Sequence, residues 1–312
     1  MAGRYRNVGL FVVLAVLFGV SFVAIKAGLG ALPPLLFAAL RFDVAAPGLL
    51  LYAAWRYDVW RPRQRADYLA VAVGALTLVA ANNGLLFLGQ QTTTPAAASV
   101  MYGLNPILAP AVAAVVLGTR LDVRGVAGIL LGLVGVVIIV QPSPATLTAG
   151  STVGQLFVLG AAAAVAVGSV LLRRIEAPLA SVPTTAWAMA VGAALLHAAS
   201  LAVGETVTGP VTPTVALAVL SVGIPSTAFA YPIYFTLIRR IGPVRTNLVA
   251  YLVPVVAALT GWVLLGQPVT AATVAGFLVV LAGVALLERR VVATELRRLR
   301  GAVADRPVAG DD

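Results

Sequence analysis

Two charges, Arg41 and Asp43, fall inside an otherwise apolar stretch at about 34–54. A guanidinium in such a place can hold a carboxylate, and a carboxylate there can carry a proton. Side chains two apart on a helix do not face each other, so each needs a partner elsewhere. Asp43 is the only carboxylate near the middle of an apolar segment, which makes it the leading candidate for proton coupling. A role as counter-ion to Arg41 or Lys26 explains it almost as well. Both charges are expected to face the protein interior, because a charge at mid-helix costs about 2.5–3.5 kcal/mol on insertion scales. Lys26 is the one lysine in a chain with twenty arginines. Lying near the end of the first apolar stretch, it either reaches back to the interface or offers a cation to a substrate or gate. His197 is the single histidine. It can titrate near neutrality, but a hydrogen bond to a neighbouring helix explains it more simply.

Polar aromatic residues form a second group. Tyr5, Tyr52, Tyr57 and Tyr68 and all four tryptophans sit near segment ends, where interfacial belts form. Tyr102, Tyr231, Tyr234 and Tyr251 lie inside segments, where each hydroxyl needs a partner. Tyr231 and Tyr234 share a helix face by spacing. Asn83 is either a cavity residue or an interhelical hydrogen-bonding group. Pro106 and Pro254 fall at mid-segment. Each removes a backbone donor and disturbs the carbonyl four residues earlier, that of Tyr102 or of Ala250. Such carbonyls can line a cavity, or the prolines can be packing kinks.

The elements that carry these residues are transmembrane helices. The composition is 61% hydrophobic and 10% charged. Soluble domains carry about 25% charged residues. Ten apolar stretches recur, at about 8–28, 34–54, 66–88, 95–117, 122–141, 151–172, 184–204, 213–237, 243–265 and 270–288. Each is long enough to cross about 30 Å of hydrocarbon. The fold class is thus all-α integral membrane protein. With both termini in the cytoplasm, the inside segments hold 19 of the 21 basic residues and the outside loops hold none, as the positive-inside rule requires. The net charge of +10 is therefore a topology signal and not a nucleic-acid footprint. Cysteine is absent, which excludes disulfides and thiolate chemistry.

A shift of 148 residues superposes the chain on itself. Pro95 meets Pro243, Pro106 meets Pro254, Leu117-Gly118 meets Leu265-Gly266, and Gly128 and Gly135 meet Gly276 and Gly283. Asn83 meets Tyr231, and Tyr102 falls one position from the equivalent of Tyr251. The expected halves are 1–148 and 149–290, followed by a basic tail at 291–312. Five helices is an odd number, so the second half must be inverted in the membrane, a scaffold suited to alternating access. Arg41 has Met189 as its equivalent, which confines any role of the arginine to one half. On the fifth helix, Gly128 and Gly132 form a face for close packing.

The ordered set Phe18 to Lys26, Pro33-Pro34, Leu40-Arg41-Phe42 and the paired proline and glycine positions resembles EamA-type members of the drug/metabolite transporter superfamily, over roughly residues 8–288. The resemblance implies a ten-helix cytoplasmic-membrane carrier, typically an exporter of amino acids, related metabolites or drugs. An importer of the same fold is the nearer alternative. A receptor or other non-transport membrane protein is more distant, because an inverted repeat serves no obvious purpose there. An enzyme is not expected: there is no HExxH, no cysteine, and no pair of intramembrane carboxylates. No metal or other cofactor is expected. The expected partners are a small-molecule substrate and the lipid bilayer, with protons as a candidate coupling ion, in a monomer or homodimer.

Overall fold

The computed structural model describes residues 2–118, 122–141, 151–207, 212–241 and 246–287. The basic tail and the loop tips carrying Arg120, Gly150 and Arg245 lie outside these residues. Among the described residues every regular element is a helix. We number them α1 (Ala2–Gly28), α2 (Pro34–Arg56), α3 (Arg65–Gln90), α4 (Pro95–Leu117), α5 (Val123–Val140), α6 (Ser151–Ile175), α7 (Ser181–Ala202), α8 (213–241), α9 (Val249–Leu265) and α10 (Ala271–Leu287). Eight are long and apolar enough to cross a membrane, and α9 and α10 are shorter apolar helices. Together they form a multi-pass membrane protein.

The 148-residue shift reappears in the local structure. Asp122 caps α5 by accepting from the Gly125 N–H at 2.8 Å, and Thr270 caps α10 by accepting from the Thr273 N–H at 3.1 Å. Each cap satisfies a backbone donor that the first helical turn leaves unpaired. Gly118 and Gly266 end α4 and α9 at φ of 66° and 61°, a left-handed conformation that favours glycine. Each half also carries one π-helical stretch, Gly74–Ala81 in α3 and Ile224–Phe229 in α8. A π turn leaves carbonyls poorly paired and recurs at functional sites. Here side chains take up the slack: Asn83 Nδ2 donates to Val79 O at 2.9 Å, and Thr227 Oγ1 donates to Val222 O at 2.8 Å.

Two pairs of equivalent helices pack antiparallel. In α5 and α10 the glycines set the approach. A Cβ built on Gly135 would stand 2.8 Å from Gly276 O, and one on Gly283 would stand 2.7 Å from Gly128 O. These two contacts exchange under the 148-residue shift. The α2–α7 pair is fastened at both ends. At one face the Glu205 carboxylate accepts from the Leu35 and Leu36 N–H groups at 3.0 and 2.8 Å, and Ser200 Oγ donates to it at 2.7 Å. An anion is favoured there by the dipole of the α2 N-terminus. At the other face Trp187 stacks on Trp60 with centroids 6.1 Å apart, and its indole N–H donates to Trp60 O at 2.9 Å. Asp67 adds a cross-link by accepting from the N–H groups of Arg63, Gln64 and Leu179, each at 3.0 Å.

Helix α4 differs from the sequence expectation. Proline at mid-segment predicts one kinked helix, yet α4 runs as Pro95–Tyr102 and then Asn105–Leu117, broken at Gly103 and Leu104. Pro106 is the second residue of the second piece, where a missing N–H costs nothing. Its side chain lies outside the described residues. Pro254 stays inside α9. The break in α4 approaches α9: a Cβ on Gly103 would stand 3.7 Å from Ala250 O, the carbonyl four residues before Pro254.

Candidate functional site

Arg41 is the centre of the polar interior. It points from α2 into the bundle and is 7% exposed. Its Nε donates to Thr227 Oγ1 and its Nη1 donates to Asn83 Oδ1, both at 2.9 Å. Asn83 closely follows the π turn of α3, and Thr227 lies within the π turn of α8. One guanidinium thus bridges the two halves at the places where their helices are irregular. Among the described residues Nη2 makes no hydrogen bond, and no carboxylate lies within ion-pair distance. A buried cation without an anion is costly, and a carboxylate-bearing ligand supplies what is missing.

Aromatic residues surround this group. Tyr102 and Tyr231 lie within electrostatic reach of the guanidinium, Asn82 adjoins Tyr102, and Tyr234 lies within reach of Tyr231. Phe22 meets Tyr102 edge-on at 5.9 Å, and Phe18 meets Tyr231 edge-on at 6.4 Å. Such contacts hold rings in place while leaving their faces open. The Tyr234 hydroxyl donates to Asn247 Oδ1 at 2.8 Å. Phe18, Phe22 and Thr227 are not among the candidates that sequence reasoning singles out. The four-residue spacing of Phe18 and Phe22 puts both on one face of α1 and is the signal the chain offers for them.

Other candidates lie elsewhere. Lys26 Nζ donates to the carbonyls of Gln90 and Gln91 at 2.8 Å each. It thereby closes the C-terminal end of α3, where carbonyls lack helical partners. Tyr251 on α9 packs against the core, partly buried. Pro254 is buried and lines an apolar crevice of 260 Å³ between α4, α9 and α10, together with Val100, Trp262 and Phe277. Since Trp262 is 62% exposed, this crevice opens at the bundle perimeter and not toward Arg41. Asp43 also departs from its expected place. It turns outward and pairs with His197 at 2.7 Å, with side chains 44% and 37% exposed. Its partner is neither Arg41 nor Lys26.

The family profile of EamA-like transporters matches twice, over residues 7–141 and 152–289. The chain belongs to the EamA-like transporter family. The double match sets the family unit at one five-helix half. Among its EamA relatives are two proteins of Bacillus subtilis (strain 168) described as uncharacterized transporters. YoaV is 24% identical over 87% of this chain and 92% of its own. YvbV is 24% identical over 92% of this chain and 93% of its own. A solved crystal structure superposes with a TM-score of 0.63 over 95% of this chain and 99% of its own, at 23% identity, a likeness of fold alone. Family membership points to a membrane transporter, and not to an enzyme.

Proposed function

We propose that this EamA protein is a secondary carrier that moves a small carboxylate-bearing metabolite, an amino acid or a close relative, across the cytoplasmic membrane by alternating access, with export as the net direction. The observation that carries this reading is Arg41. It is held by Asn83 of the first half and Thr227 of the second, so a relative movement of the halves changes the grip on the guanidinium. A solute bound at Nη2 would feel that change, which is what couples occupancy to access. The rings of Tyr102, Tyr231 and Phe22 suit the apolar part of such a solute. The antiparallel packing of α5 on α10 and of α2 on α7 supports two halves inverted about an axis in the membrane plane.

The test is flux in proteoliposomes without nucleotide, using a panel of labelled amino acids and their decarboxylated amines. Saturable exchange of an amino acid, with no exchange of the matching amine, is expected. Equal exchange of both would end the anion-site reading. Among the described residues no carboxylate lies beside Arg41, so solute binding needs no titrating acid there. In the same vesicles Asp43→Asn is expected to keep its response to a pH gradient. Loss of that response would return Asp43 to a coupling role.

Orientation is tested separately. Both termini are proposed to be cytoplasmic, with Arg63 inside and Gly150 outside. The absence of native cysteine gives single-cysteine variants no background. Arg63→Cys should react with an impermeant maleimide only in inverted vesicles, and Gly150→Cys only in intact cells. The opposite pattern would reverse the assignment.

A further inference from the structure

We propose that two copies of this chain form a two-fold dimer across α2, α7 and α8, with the Asp43–His197 pairs meeting near the axis. The starting point is the exposure of a polar pair in an apolar wall. Asp43 lies about 14 Å along α2 from Pro34, and His197 about 8 Å along α7 from Ala202, at ~1.5 Å per residue. Both positions lie inside helices long and apolar enough to cross a membrane. Exposed apolar side chains on the same two helices include Leu51 at 72%, Leu195 at 40% and Leu201 at 79%. Lipid chains offer no hydrogen bond to the outer atoms of an ion pair, and such groups at this depth are costly when they face lipid.

A second copy offers matching chemistry at the matching depth. An axis along the membrane normal brings each residue opposite its own counterpart's level, and the contact is self-complementary. With both ring nitrogens protonated, each His197 keeps its Nε2–H on Asp43 of its own copy and offers its Nδ1–H to the carboxylate of the other copy, so two pairs can satisfy each other. The shapes agree as well. An apolar crevice of 350 Å³ runs between α2 and α8, lined by Leu32, Leu36, Leu40, Val215 and Leu220. On the far side of α2, Leu201 stands out from α7. Its depth is fixed by its neighbour Ser200, which bonds the Glu205 carboxylate that also holds the Leu35 and Leu36 N–H groups. Leu201 therefore lies level with the crevice. Helix α2 packs on both α7 and α8, so the perimeter order is α8, α2, α7. Facing copies run in opposite order, which sets the partner's Leu201 before the crevice.

The test uses two differently tagged copies expressed together, Leu201→Cys in one and Ala216→Cys in the other. Mild oxidation of native membranes should give a hetero-linked product. The control pairs Leu201→Cys with Val115→Cys, a position 87% exposed on α4, and should give none. Native mass measurement in nanodiscs should show two copies. In an Asp43→Asn, His197→Gln background, the linked yield should fall while each copy stays monodisperse. No linked product above the control, a single-copy mass, or a single copy retaining a phospholipid in the crevice would each overturn the dimer.

Discussion

Arg41→Gln is expected to remove saturable flux at physiological solute levels while leaving the protein folded. Charge-assisted hydrogen bonds are worth about 1.5–3 kcal/mol each, which is roughly 10- to 100-fold in apparent affinity. Glutamine keeps a donor for Asn83 Oδ1, and Thr227 still has the Val222 carbonyl to bond. The packing around position 41 should therefore survive. Arg41→Lys is the sharper variant. It keeps the charge but loses the planar fork that reaches Thr227 and Asn83 together. We expect it to bind solute weakly and to lose most exchange. The measurement is counterflow of a labelled amino acid in proteoliposomes, with monodispersity checked by size exclusion. Wild-type saturation in both variants would remove Arg41 from the site.

The second large effect is expected at the α5–α10 contact. A Cβ on Gly276 would stand 2.7 Å from Gly135 O, and one on Gly283 would stand 2.7 Å from Gly128 O. These obstacles are backbone atoms and cannot rotate aside. Overpacking of this kind costs about 1–3 kcal/mol, and more where backbones must separate. Gly276→Val and Gly283→Val should each lower the detergent melting temperature sharply, and together they should abolish recovery of folded protein. Gly9→Ala is the control, since a Cβ there meets nothing within 4 Å. Unchanged melting in Gly276→Val would mean that the two helices do not meet at these glycines.

How much of this is legible before folding depends on what kind of information each feature needs. The helices are legible because apolar length alone decides them. The repeat is legible because Pro254 and Gly266 fall at a constant shift from Pro106 and Gly118. The π turns are not, because an extra residue in a helical turn changes no composition. With them goes Thr227, which stands where the first half has Val79 and so has no counterpart to flag it. The direction of Asp43 is undecided in the sequence for a simple reason. Two residues turn a helix by about 200°, so Arg41 and Asp43 point nearly opposite ways. Sequence spacing says that they part, and only packing says which one goes inward. Lys26 is ambiguous because its partners are the carbonyls of Gln90 and Gln91, and backbone groups carry no residue signature.

The fastening of α2 to α7 has a mechanical consequence. Glu205 binds one end, the stacked tryptophans bind the other, and Asp43 with His197 tie the span between. A seam riveted at both rims and in the middle cannot unzip from either side without losing several bonds at once. The two helices, one from each half, then form the line about which the proposed movement of the halves would turn. Arg41 sits on that line, between Asn83 of one half and Thr227 of the other. In the proposed cycle the solute's surroundings would swing past a nearly stationary charge.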